Sequence, residues 1–223
     1  MWAESRKFAC AERMGGFSRT CVYIYIMNRP LVQWRQEVIM EKDISWQTLS
    51  SEYLIKRPWL TARRDVVRLP NGVVEDEYYV LEYPDWINVI ALTRDGRMIL
   101  ERQYRHALGE TSYEIVAGVM EQGESPEEAA RRELLEETGY SGGEWTHLMD
   151  LSANPSTMTN LCHCFLAVGV EPTGHQHLDR TEYLEVHFFQ PEDVWQMLLD
   201  GQFRQALMAA PLWRFFHDRN SGK

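Results

Sequence analysis

Three glutamates, Glu133, Glu136 and Glu137, fall within five residues of the stretch ARRELLEETGY, residues 130–140. On a helix Glu133 and Glu137 stack one turn apart and Glu136 flanks them. Like charges at that spacing repel, at roughly 0.2–0.5 kcal/mol per pair in an isolated helix. A set of carboxylates held together against this repulsion implies a missing positive partner, and a divalent cation with a preference for oxygen donors, Mg²⁺ or Mn²⁺, fits it. Such ions would let an acidic site hold phosphate. The ordinary reading of a glutamate-rich helix is a solvated face. Two features oppose it here: Ala129 and Ala130 lie beside the acidic face and allow close approach by another element or a ligand, and the helix follows directly on VAGVMEQGES, whose glycines allow tight backbone turns.

The element that must carry these side chains is well marked. Ser125 can cap the helix, Pro126 suits its first position, and Glu128 completes a capping box with Ser125. Gly139 can end it in a left-handed conformation. These signals predict a helix over 126–138. Before it, TARRDVVRL and VVEDEYYVLEY flank Pro70-Asn71-Gly72, and WINVIALT and RMILERQYR flank Asp95-Gly96; both pairs read as hairpins. SYEIVAGVM continues the β character. Shorter strands are expected around 144–151, 162–169 and 183–189, followed by two helices in PEDVWQMLLDG and QFRQALMAAPLWRFFHD. Strands on both sides of a central helix predict an α+β fold, mixed sheets sandwiched by helices.

The 223 residues suit one sizeable domain with an appendage, and 44% hydrophobic content supports a real core. Three segments are expected: an extension over 1–44 without assigned chemistry, an N-terminal β region over 45–84, and the main domain over 85–223. A net charge of −10 argues against general attraction to nucleic acid or an anionic membrane. The longest apolar run, CVYIYIM at 21–27, is too short for a membrane span and reads as a strand or a sticky arm. Cys10, Cys21, Cys162 and Cys164 show no CxxC spacing, which is consistent with packed thiols in a cytoplasmic protein. Cys162 and Cys164 would share one face of a strand and His163 would point to the other, so a zinc site there lacks a second ligand pair.

Gly118, Glu124, Arg132, Glu133, Leu134, Glu136, Glu137 and Gly139 fill the pattern G-x5-E-x7-R-E-U-x-E-E-x-G-U, where U is a bulky apolar residue; the last position is Tyr140. The chain therefore resembles the Nudix hydrolases, and the resemblance implies their α/β/α sandwich of mixed sheets. It implies hydrolysis of a nucleoside diphosphate linked to another moiety, with Mg²⁺ or Mn²⁺ as cofactor. Glu133, Glu136, Glu137 and the backbone carbonyl of Ala117 would be metal ligands. Arg132 would hold a box glutamate in place, Glu124 would support the site, and Gly118 and Gly139 would shape it.

RQYRHALGETSYEIVAG resembles the segment before the box in ADP-ribose pyrophosphatases and related nucleoside-diphosphate-sugar hydrolases. That resemblance makes Arg105 and Glu114 substrate-contacting candidates; the plainer readings are a strand-end arginine and a strand salt bridge. Pro155, fifteen residues after Tyr140, resembles a marker of ADP-ribose-type enzymes, although Ser156 stands where glycine often follows. Glu182 matches a mobile acidic loop that supplies a catalytic base or an additional metal-site ligand, with Glu185 as the fallback; the plainer reading is a solvated loop residue. The 61–83 hairpin resembles the β region through which this group forms homodimers. Trp46 and Trp59 could stack a nucleobase there, but core or interface packing is the preferred reading. The expected substrate is a nucleotide sugar, ADP-ribose first and GDP-mannose second. A nucleotide-sugar-sensing regulatory module is the alternative of another class; the full set of box glutamates argues against it.

Overall fold

The computed structural model describes residues 43–222, together with the backbone of Tyr25–Ile26 and Arg29–Pro30. These two pairs, β1 and β2, form a two-stranded antiparallel ladder within a separate unit covering residues 1–43. The remaining expectations for residues 1–39, including Cys10, Cys21 and most of CVYIYIM, lie outside the described residues.

From Ile44 onward the chain forms one compact unit. It begins with a three-stranded antiparallel sheet, β3 (Gln47–Arg57), β4 (Leu60–Arg68) and β5 (Val74–Glu82). The Asn71-Gly72 turn joins β4 and β5, as its residues predict. The first strand, β3, extends this sheet beyond the expected hairpin and is exposed along its whole length.

The main sheet contains β6 (Trp86–Thr93), β7 (Met98–Arg105), β8 (Glu110–Glu114), β9 (Val116–Val119), β10 (Tyr140–Leu151), β11 (Cys162–Pro172) and β12 (Leu184–Phe189). Its order is β10-β11-β6-β7-β12. The first half of β6 pairs with β9 and its second half with β7, while β8 pairs with β7. The pairing of β11 with β6 is parallel and the other ladders are antiparallel, so the sheet is mixed. The run SYEIVAGVM, read as one β segment, is two strands that break at Ile115.

Helix α1 (Pro126–Thr138) packs on one face of this sheet, where Ala129, Ala130 and Leu134 join Ile87, Val89 and Ile99 in a dry layer. Helices α2 (Pro191–Leu199) and α3 (Ala206–Asn220) cover the other face through Val194, Met208, Leu212 and Phe216. This is the expected α+β sandwich. The two alanines serve the sheet rather than a ligand: both are fully buried, and their small size lets α1 lie close to β6. Helix α3 contains Pro211, which cannot donate to the Leu207 carbonyl one turn back. Buried Asn88, on β6, supplies the missing donor: its Nδ2 lies 2.6 Å from that carbonyl.

Candidate active site

The signals read from the sequence form α1 as expected. Ser125 and Glu128 make both bonds of the capping box, and Gly139 ends the helix at φ 74°. Its placement against β9 builds the site. Gly118, in β9, faces the Glu133 carboxyl so closely that a Cβ there would lie 2.0 Å from Glu133 Cδ. Only glycine leaves room for that carboxylate. Glu137 comes to the neighbouring residue, with its Oε2 3.4 Å from the Ala117 amide. The box glutamates and the strand that carries Ala117 and Gly118 are therefore brought together, as the motif implies.

Arg132 organises the outer side of this cluster. Its guanidinium donates to Glu124 Oε1 at 2.7 Å and Oε2 at 2.9 Å, and to the Val119 carbonyl at 3.0 Å. It also lies 2.9 Å from Glu133 Oε1 and 3.0 Å from Glu136 Oε2. The expectation that Arg132 steadies one box glutamate understates its reach, since it touches three. The guanidinium holds the Glu124 carboxyl well below the usual carboxylate range. Glu136 is half-exposed, so the buried part of the cluster is Glu133 and Glu137.

A further carboxylate, unanticipated from the sequence, completes the buried group. Glu101, in β7, is 4% exposed, contacts the Glu137 carboxyl, and has an Oε1 without a hydrogen-bond partner among the described residues. Burial, followed by mutual repulsion, pushes the Glu137 carboxyl upward; burial does the same to Glu101 and Glu133. A signal for Glu101 was present: it shares strand parity with Ile99, whose side chain lies under α1, and a charge at such a position needs a partner. Glu101, Glu133 and Glu137 form an oxygen-only donor set, largely out of water, in which Arg132 pairs with Glu133 and no salt bridge among the described residues reaches Glu101 or Glu137. This is the arrangement that a hard divalent cation satisfies.

The two residues expected to contact substrate lie against each other. Arg105 Nε and Nη2 approach Glu114 at 3.0 and 2.6 Å, and Ser112 donates to the same carboxylate at 3.0 Å. Glu114 is buried, while Arg105 keeps part of its side chain in solvent. Glu182 lies in the segment between β11 and β12. This segment is docked on the end of α1, where free carbonyls need donors: His177 N–H donates to the Glu136 carbonyl at 2.6 Å, Gln176 Nε2 to Glu137 at 2.8 Å, and Thr173 and Gly174 N–H to Gly139. Glu182 is exposed and near enough to raise the carboxyls of Glu133 and Glu137. Glu185 is paired with Arg102 at 3.0 Å. Pro155 lies in a cleft of about 330 Å³ between the 155–159 loop and the N-terminal sheet, which Trp46, Arg63 and Tyr78 also line. Trp59, 83% exposed, is outside that lining.

The NUDIX domain model matches residues 83–210, which span α1, the main sheet and the docked loop. The chain belongs to the NUDIX family. Residues 46–81 match the nucleoside diphosphate sugar hydrolase N-terminal domain, which coincides with the three-stranded sheet. An ADP-ribose pyrophosphatase of Bacillus subtilis is 31% identical over 70% of this chain and 85% of its own length. A GDP-mannose pyrophosphatase of Citrobacter koseri is 30% identical over 59% of this chain and 69% of its own. The crystal structure of an ADP compounds hydrolase shares the fold, with a TM-score of 0.71 and 24% identity over 82% of this chain and 99% of that one. The protein is thus a Nudix hydrolase of the nucleoside-diphosphate-sugar type.

Proposed function

We propose that the protein hydrolyses the pyrophosphate bond of ADP-ribose, giving AMP and ribose 5-phosphate. The observation that carries this reading is the buried carboxylate group of Glu101, Glu133 and Glu137 beside Ala117 and Gly118, in a chain whose ADP-ribose-cleaving relative matches most of its length. Glu133, Glu136, Glu137 and the Ala117 carbonyl would hold Mg²⁺ or Mn²⁺, with Glu101 completing the inner side. The bound ions supply charge to offset the pyrophosphate and lower the pKa of a water molecule.

The protein's own groups do the positioning. Gly118 keeps the Glu133 carboxylate against the β9 backbone. Arg132 fixes Glu124, Glu133 and Glu136 as a unit, so their arrangement requires little reorganisation when substrate arrives. Glu182, carried by the segment docked on α1, accepts a proton from the attacking water after a small closure. Arg105 has solvent-facing guanidinium surface left for a substrate phosphate while Glu114 orients it. Trp46 lines the cleft beside Pro155 and offers a face to a nucleobase.

The test is a panel of ADP-ribose, GDP-mannose and other nucleotide sugars with Mg²⁺ and Mn²⁺, run in ¹⁸O-water with mass detection of products. The expected result is preferential ADP-ribose cleavage and one labelled oxygen in a single product phosphate. Preference for GDP-mannose would transfer the assignment to that substrate. Absence of metal-dependent hydrolysis on every member would overturn it.

A further inference from the structure

His147, Asp150 and His163 form a second polar group, supplied by β10 and β11 rather than by α1. Asp150 and His163 are register partners on neighbouring strands. One oxygen, Asp150 Oδ1, lies 2.7 Å from His163 Nδ1 and 2.7 Å from His147 Nε2. Residues three apart on a regular strand point to opposite faces. The register of β10 shifts between His147 and Met149, and this bulge brings His147 round to the side of Asp150. The three ligand atoms lie within 4.8 Å of one another.

The surroundings of His163 point to a cation. Its ring is mostly buried and meets a carboxylate at each nitrogen: Asp150 at Nδ1 and Asp85 Oδ2, 3.4 Å away, at Nε2. A neutral imidazole has one N–H and can donate to only one of them. Asp85 is itself anchored, because its Oδ1 accepts the Leu161 N–H at 2.8 Å. A ring carrying a proton on each nitrogen would satisfy both carboxylates; a metal ion among the three ligand atoms does so as well, and it also engages His147 Nε2. His163 Nδ1 and His147 Nε2 then turn lone pairs to the ion, Asp150 Oδ1 supplies the third ligand, and His163 Nε2–H donates outward to Asp85. This is the carboxylate–histidine–metal arrangement that orients ligand imidazoles.

We infer that His147, Asp150 and His163 bind a transition-metal dication of the Zn²⁺ class, with Asp85 as the supporting carboxylate. Two imidazoles and one carboxylate suit zinc, whereas the oxygen-only set of Glu101, Glu133 and Glu137 suits Mg²⁺ or Mn²⁺. Tetrahedral ligation at 2.0–2.1 Å spaces ligand atoms by about 3.3 Å. The 2.7 Å contacts must therefore open slightly, which half-exposed His147 and Asp150 allow. The Cys162 and Cys164 thiols take no part, since they are buried against Leu207. The site joins β10 and β11 to Asp85, whose carbonyl accepts the Met120 N–H just beyond β9. Its role is to brace that end of the sheet, apart from the reaction.

Calorimetric titration of the full chain with Zn²⁺, in excess Mg²⁺, should show one tight Zn²⁺ site. His147→Ala should weaken it at least about tenfold, and Asp85→Asn by about 10–100-fold, as for other supporting groups. Glu133→Gln should leave it in place. Co²⁺ titration should give the intense visible bands of a four-coordinate site with nitrogen ligands, and His147→Ala should remove them. His147 is half-exposed, so its loss should leave folding and Mg²⁺-dependent turnover unchanged. Absence of Zn²⁺ binding, or Zn²⁺ affinity that survives His147→Ala but is lost in Glu133→Gln, would overturn the assignment.

Discussion

At the scale of residues, the site is a concentration of carboxyl groups that folding buries before any cation is counted. If Glu133 and Glu137 hold the metal, Glu133→Gln and Glu137→Gln should each lower kcat by on the order of 10²–10³-fold, the loss typical when one charge-stabilising group is removed. Circular dichroism should show an unchanged fold; full turnover in both variants would contradict the ligand assignment. The same burial sets a pH dependence. Glu101, Glu133 and Glu137 have carboxyls raised above the ordinary value of 4.5, so the folded state holds protons that the unfolded chain releases. Their contribution to stability is complete below that value and is lost as pH rises through the raised values. In EDTA, the melting temperature should therefore fall from mildly acidic pH upward on their account, and the increment from added Mg²⁺ should grow with pH as ions displace protons. An increment independent of pH would count against this cluster as the binding site. Glu182→Gln should reduce kcat by more than about tenfold, about 1.4 kcal/mol of barrier, with the Kd of a non-hydrolysable ADP-ribose analogue nearly unchanged. If Glu185→Gln shows that pattern instead, the roles exchange.

At the scale of elements, α1 and α3 each depend on a contact outside themselves. The C-terminal carbonyls of α1 are capped by the segment that also carries Glu182, so the end of the glutamate-bearing helix and the position of the proposed base form one structure. A Cβ at Gly139 would lie 2.9 Å from the Gly174 carbonyl, in a backbone conformation that only glycine adopts without strain. On the other face, Pro211 is tolerated in α3 because Asn88 serves the orphaned Leu207 carbonyl. Asn88→Leu keeps the branched outline, with bulkier methyl groups, and leaves that carbonyl unpaired in the core. It should cost about 1–3 kcal/mol in chemical denaturation. Adding Pro211→Ala, which restores a helical donor, should recover part of the loss; strictly additive effects would show that the two residues are uncoupled.

At the scale of the whole molecule, the N-terminal sheet exposes β3 along its full length, with Leu49, Tyr53, Leu54 and Ile55 in solvent. Three strands with one such surface make a poor independent core. A homodimer through this region is therefore expected in sedimentation at micromolar concentration, and a fully active monomer would refute it. Among the described residues no helix is long and apolar enough to cross a membrane. The helix 126–138, its two caps and its facing glutamates were legible in the sequence because they rest on local rules: side-chain oxygens meeting nearby amides, and residues four apart sharing a face. Both turn-marked hairpins and the C-terminal helices were legible for the same reason. Three things were decided by tertiary structure, because each depends on which distant strands become neighbours. Glu101 enters the site only because β7 passes beneath α1. Arg105 and Glu114, nine residues apart, become partners only because β7 and β8 pair. His163 meets His147 and Asp150 across the β10–β11 ladder through a bulge that no residue of β10 announces. Local chemistry determined which carboxylates stand on the helix; long-range strand pairing decided which charges face them.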